Sequence, residues 1–119
     1  MIERVQYNAA LAITGAIKGT SQLKIYKELG FESLKFRRWF RRLCFFYKLK
    51  STQTPKYLYN LIPSGNSKYN TRNHDQIESY YCRTDLFKYS FFPYTIVEWN
   101  KLDATLRNAK SFLIFRNSL

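Results

Sequence analysis

The stretch Leu34-Lys35-Phe36-Arg37-Arg38-Trp39-Phe40-Arg41-Arg42-Leu43-Cys44-Phe45-Phe46-Tyr47-Lys48-Leu49-Lys50 decides how this chain folds. At roughly 100° per residue, Phe36, Trp39, Phe40, Leu43, Cys44, Phe46 and Tyr47 fall on one broad helical face. Arg37, Arg38, Arg41, Arg42 and Lys48 fall on the other. Ser33 offers an N-cap, so the spacing predicts a long helix over 34–50. No acidic residue lies between Lys35 and Lys50, so none of these charges is neutralised within the helix. Leu34, Phe45 and Leu49 sit inside the basic face, where a simple surface helix would place polar residues, and they imply a second partner surface.

Shorter elements flank this helix. Upstream, Ile2, Val5, Ala9, Ala12 and Ala16 recur at helical spacing and alanine is the best helix former, which predicts a helix over 2–16. Gly15 and Gly19 bracket its exit. Thr20 or Ser21 caps a short helix carrying Leu23, Tyr26 and Leu29 that ends at Gly30. Downstream, Ser51 to Pro55 is a polar break, and Pro55 is placed to open a short helix through Leu61, closed by Pro63. Residues 64–76 are polar and turn-forming. Residues 77–89 tolerate β structure without clean alternation and read as a weak hairpin. Pro93 is placed to start a helix over 93–102 with Ile96, Trp99 and Leu102 facing inward, and Ser111 caps a last helix holding Phe112, Phe115 and Leu119. The expectation is mainly α: one small helical domain over 1–119, of about five helices, with an irregular middle over about 64–90 and room there for a short β-hairpin.

Composition sets the limits of function. With 119 residues and 45% hydrophobic content, the chain suits one small domain with a modest core. An aromatic share of 18% argues against a disordered tail. Twenty Lys and Arg against eight Asp and Glu leave a net charge of +12, a surplus that favours polyanionic partners. Cys44 and Cys82 are far apart, His74 is the only histidine, and a structural zinc site needs about four N/S ligands, so no metal or other cofactor is expected. There is no apolar h-region behind a basic start and no run of about 18 apolar residues. The expected setting is intracellular and reducing, nucleus or cytoplasm, without secretion or a membrane partner.

Catalysis finds no support. Asp75, Asp85 and Asp103 are isolated and the five glutamates scattered, whereas two-metal phosphoryl transfer needs carboxylates converging on ions about 4 Å apart. No GxSxG elbow, Gly-rich phosphate loop or HExxH is present. Cys44 falls on the aromatic face of its helix, as a core thiol does, and His74 lies in a polar loop. The chain is expected not to be an enzyme, and no small-molecule substrate is expected.

The run from Arg37 to Arg42 makes the strongest physical case. Guanidinium groups pair bidentately with phosphates, and aromatic side chains beside them stack on unpaired bases. Trp39 and Phe40 point toward the core face, so Phe45, about one turn beyond Arg41 and Arg42, is the better stacking residue. Lys35 and Lys48 extend the basic face. A looser cluster joins Lys68, Arg72, Arg83 and Lys88 to Tyr69, Tyr80, Tyr81, Tyr89 and Phe91. The candidate nucleic-acid contacts are therefore Lys35, Arg37, Arg38, Arg41, Arg42, Phe45, Lys48, Arg72 and Arg83, with RNA or DNA as partner. Docking onto another protein domain, plain solvation and a membrane-surface helix are the competing uses of the same pattern.

Several runs taken together resemble a known family. They are Ile13-Thr14-Gly15-Ala16, Gly19-Thr20-Ser21, Tyr26-Lys27-Glu28-Leu29-Gly30, Glu32-Ser33-Leu34, Arg37-Arg38-Trp39 and Arg41-Arg42-Leu43-Cys44. The series continues through Phe46-Tyr47-Lys48, Pro55-Lys56-Tyr57-Leu58, Leu61-Ile62-Pro63, Tyr69-Asn70 and Arg72-Asn73. It closes with Cys82-Arg83-Thr84, Phe87-Lys88, Ser90-Phe91-Phe92-Pro93, Trp99-Asn100-Lys101-Leu102-Asp103 and Leu106-Arg107-Asn108. In this order they resemble the region downstream of the polymerase domain in animal non-LTR (LINE-like) retrotransposon reverse transcriptases, over essentially the whole chain. The resemblance implies a non-catalytic, nucleic-acid-handling segment that follows the thumb of an RNA-directed DNA polymerase, with the polymerase domain of the parent protein as a further partner. The paired aspartates of such polymerases have no counterpart here. One departure concerns the first helix: in the family a Gln is commonly followed by arginine-rich residues, whereas Gln6 is followed by Tyr7, Asn8 and Ala9, which removes much of that positive face. By the family pattern, Met1 begins partway into this helix.

Overall fold

A computed structural model describes residues 1–64 and 75–119; among these residues the fold is mainly helical, without a strand. Eight helices are present among them: α1 (Ile2–Thr14), α2 (Gln22–Leu29), α3 (Leu34–Lys50), α4 (Lys56–Tyr59), α5 (Asp85–Lys88), α6 (Phe91–Asn100), α7 (Ala104–Arg107) and α8 (Phe112–Ser118). The chain falls into two compact units, Met1–Phe40 and Arg41–Leu119, with the boundary inside α3.

The first unit is small. Ala10, Ile25 and Tyr26 form its buried centre, with Tyr7, Leu11, Ala16, Leu29 and Phe31 packed around them. The inward face of α1 is thus carried by Tyr7, Ala10 and Leu11, and the stripe of Ile2, Val5 and Ile13 is 63–65% exposed. Polar side chains set this register. The Tyr7 hydroxyl donates to the Thr20 carbonyl at 2.7 Å, and the Gln6 amide donates to the Glu32 carbonyl at 3.0 Å. α2 stops at Gly30, whose φ of 65° is left-handed and free of a Cβ penalty. Its N–H donates to the Lys27 carbonyl and that of Phe31 to the Tyr26 carbonyl, while the Phe31 and Tyr26 rings meet at 6.3 Å. That is a Schellman ending with its hydrophobic contact. α3 then starts where expected: Ser33 Oγ accepts from Phe36 N–H, and Glu3 Oε1 accepts from Leu34 N–H at 3.1 Å.

The second unit holds the larger core. Leu43, Phe46 and Leu49 of α3, Ile96 and Trp99 of α6 and Phe115 of α8 are fully buried. Trp99 is the hub, 5.2 Å from the Phe46 ring and 5.3 Å from Phe115, while Tyr47 stacks on Phe115 at 4.7 Å. The Tyr47 hydroxyl donates to the Ala109 carbonyl at 2.8 Å, fixing the link between α7 and α8. Thr84, Asp103 and Ser111 accept backbone N–H bonds at the starts of α5, α7 and α8.

Several elements differ from the sequence expectation: eight helices stand among the described residues where about five were expected, and α1 ends at Thr14 rather than at 16. α6 begins at Phe91, two residues before Pro93. Proline is still tolerated there because a first-turn N–H has no intrahelical acceptor to lose. α4 is a single turn from Lys56 to Tyr59, with Pro55 as its N-cap. No hairpin forms over 77–89. The backbone of Ile77 is bound by the Asn100 side chain instead, N–H to Oδ1 at 3.1 Å and Nδ2–H to the carbonyl at 2.8 Å. The Tyr80 hydroxyl donates to the Leu61 carbonyl, and 85–88 turns helical under the Thr84 cap. The Asn100 side chain thus occupies backbone groups of Ile77 that a two-stranded ladder would have used.

Truncating the hub tests this packing. Trp99→Ala should cost about 3–5 kcal/mol, the usual range for a buried aromatic. Leu113→Ala, at a position 66% exposed, should fall within about 0.5 kcal/mol of wild type. Urea denaturation followed by far-UV circular dichroism measures both.

Candidate nucleic-acid interface

α3 carries seven basic residues and no acidic one. Its first half belongs to the first unit. There Lys35 and Arg38 are exposed, and Arg37 is half-buried with its guanidinium 6.0 Å from the Phe31 ring. Phe36 stands 39% exposed with its ring 5.5 Å from that of Trp39.

In the second unit the helix is buried on much of its circumference. Leu43, Cys44, Phe46, Tyr47 and Leu49 are all buried, which at 100° per residue spans roughly 220° of arc. Leu49 therefore belongs to the core and forms no part of a second partner surface, contrary to the sequence expectation. Leu34 is half-buried. Phe45 alone of the three matches the expectation, 42% exposed and edge-on to Phe91 at 5.6 Å.

The cations on this half of the helix divide by depth. Arg41 is exposed. Arg42 is drawn inward: its guanidinium lies 4.4 Å from the centre of the Tyr94 ring, and its Nε is shut from solvent without an acceptor among the described residues. Lys48 lies over Phe112 at 4.6 Å and Lys50 over Trp99 at 5.3 Å. None of the four arginines from Arg37 to Arg42 forms an ion pair among the described residues. Of the looser cluster, Arg83 and Lys88 are exposed, while Lys68, Tyr69, Arg72 and His74 lie outside the described residues.

Two titratable groups of the helix are perturbed. Burial pushes the Cys44 thiol up, and the nearby charges of Arg116 and Lys48 pull it partly back. Cys44 is thus a neutral core thiol and a poor nucleophile. Burial lowers Lys50, the repulsion of Arg107 lowers it further, and Asp75 opposes both. Arg107 itself has Nε and Nη1 buried without acceptors among the described residues. The pairs Arg42–Tyr94 and Lys50–Arg107 were not legible in the sequence, because more than fifty positions separate the partners and no local spacing links them.

Among the described residues no group of three or more His, Cys, Asp and Glu is placed to hold a metal ion, and no helix is long and apolar enough to cross a membrane. Comparison with known proteins finds no matching family model, no similar curated protein and no similar solved structure.

The lowered Lys50 fixes a sign. Between its folded value and the ordinary lysine range near 10.4, the unfolded chain holds a proton that the folded chain has lost. Stability contributed at this site therefore rises with pH through that window. Lys50→Met, which keeps the apolar stem, should be more stable than wild type at pH 7, and the difference should shrink toward pH 10. Paired urea melts at the two pH values read it out. Thiol labelling tests Cys44 separately: in the folded protein Cys82 should react with a disulfide reagent at least about tenfold faster than Cys44, as expected for a buried, neutral thiol, and urea should abolish the difference.

Proposed function

We propose that this chain is a non-catalytic nucleic-acid-binding segment that contacts RNA or DNA phosphates through α3. The observation that carries this reading is the helix itself: seven cations without a carboxylate among them, and arginines unpaired among the described residues. Like charges held this close repel one another, and a polyanion relieves that repulsion while releasing its own counterions. The open contacts are Arg38 in the first unit, with Lys35 and Arg37, and Arg41 in the second, with Lys48 and with Phe45 available to stack. Arg42 acts from beneath through its hold on Tyr94. Arg83 and Lys88 offer a further exposed basic stretch in the second unit.

The resemblance described above gives this reading a setting. As the post-polymerase segment of a non-LTR retrotransposon reverse transcriptase, the chain would grip template RNA or target DNA for a catalytic domain located elsewhere in the parent protein. A second use is favoured by one feature of the first unit. The exposed stripe of Ile2, Val5 and Ile13 on α1 is of the kind that covers itself against a protein partner, and docking on the parent polymerase domain would supply one.

Fluorescence anisotropy with a short single-stranded RNA and a duplex DNA, at about 50 and 200 mM salt, tests the nucleic-acid role. Wild type should bind, and affinity should drop by at least about tenfold across that range, since even two to three phosphate contacts produce such a slope. Arg38→Ala with Arg41→Ala, both at exposed positions, should leave the thermal melt unchanged and weaken binding to every sequence alike. Undiminished binding by this folded double variant would remove α3 as the contact and leave docking as the better account.

A further inference from the structure

The second unit contains a cleft of about 360 Å³ beside α6 that the charge of α3 does not explain. Its walls are mainly apolar and aromatic, with Tyr80, Tyr89, Tyr94, Pro93 and Val97 among the lining residues. The volume lies at the small end of the range for organic ligands, enough for one planar heterocycle and too little for a duplex. The two principal rings are 6.0 Å apart and inclined at 57°, so they do not stack face to face on each other. Tyr89 is 65% exposed.

Charge around the cleft is arranged by sign. Lys88 is exposed, with its ammonium 5.6 Å from the Tyr89 ring. Lys101 has a side chain 66% exposed, and it pairs with Glu98 at 3.0 Å. Both lysines line the cleft. Glu98, with a side chain only 20% exposed, places an acceptor-only carboxylate in the wall. A phosphate pushed into the cleft would meet that carboxylate, whereas the amino and imino groups of a base would donate to it. The outer lysines suit phosphates that stay in solvent. Tyr94 also connects the cleft to the basic helix: Arg42 of α3 covers its ring at 4.4 Å without itself lining the cleft.

We propose that this cleft takes an unpaired nucleobase from a strand whose phosphates lie on the neighbouring cations. The inference rests on the nucleic-acid role of α3 and adds a substrate class to it: single strands, or frayed and looped regions, bind in a mode that a continuous duplex does not. Stacking on tyrosine is tolerant of sequence because every base has a π-face. The Glu98 carboxylate adds a bias toward bases with exocyclic amino groups.

Tyr89 is the residue to change, because its exposure makes it dispensable for folding. Wild type, Tyr89→Ala and Tyr89→Phe are titrated with a single-stranded RNA, with a fully paired duplex of the same sequence, and with a single strand carrying abasic sites throughout its centre. Tyr89→Ala should weaken single-strand binding at least about fivefold, the lower end expected for loss of one stacked base. It should leave duplex and abasic binding unchanged, and Tyr89→Phe should restore the loss. If Tyr89→Ala weakens duplex and single strand equally, the tyrosine serves only the general basic surface and the base pocket is overturned. The same holds if single-strand binding by wild type is strong and Tyr89→Ala leaves it intact, an outcome that spares the role of α3. Failure of wild type to bind any of the three probes would instead overturn the role of α3, and the cleft with it.

Discussion

Seven cations on one helix have to reach water while the last two turns of that helix are buried on most of their circumference. Moving an unpaired charge into an apolar interior is costly, and this chain has few acids with which to pair it. In the second unit aromatic rings take the place of counter-ions. Arg42 lies over Tyr94, Lys48 over Phe112 and Lys50 over Trp99. Each contact is worth about 0.5–2 kcal/mol depending on desolvation, and each lets an aliphatic stem run along the core with its head at the edge. The same rings build the interior, where Phe46, Trp99, Phe115 and Tyr47 pack in a continuous series. The high aromatic content is therefore tied to the high basic content.

That solution leaves positive charge unspent. Aromatic faces hold cations in place without neutralising them, and the arginines of α3 find no carboxylate among the described residues. A helix stabilised in this way stays attractive to a polyanion. Lys50 shows the limit of the device: with Trp99 on one side and Arg107 nearby, burial still lowers its affinity for the proton. The charge that cannot be fully accommodated inside and the charge left open outside arise from the same shortage of acids.

Local signals in the sequence carried a good part of this. The start of α3 at Leu34, the stop of α2 at Gly30 and the start of α8 after Ser111 all follow from capping residues whose geometry involves only near neighbours. Helical periodicity also placed Leu43, Phe46 and Tyr47 in the core. It failed for Leu49, which the wheel set among the arginines. A wheel assumes one buried face, whereas the end of α3 is enclosed more widely by segments far away in sequence. Residues 77–89 show the converse error, since β-tolerant composition yielded to side-chain partners from Asn100 and a Thr84 cap. At the candidate interface, Arg38, Arg41 and Phe45 were legible because exposure there follows the helical repeat. The placement of Arg42 on Tyr94 was not, because it depends on packing between α3 and α6.

The most direct measurement is the response of the arginine side-chain Nε–Hε resonances in a heteronuclear NMR spectrum as a short RNA is added at low salt. Binding through α3 predicts that the signals of Arg38 and Arg41 shift first and most, with Arg107, whose Nε is shut from solvent, unmoved. Shifts of equal size across all arginines, or changes confined to Arg4 of α1, would contradict it.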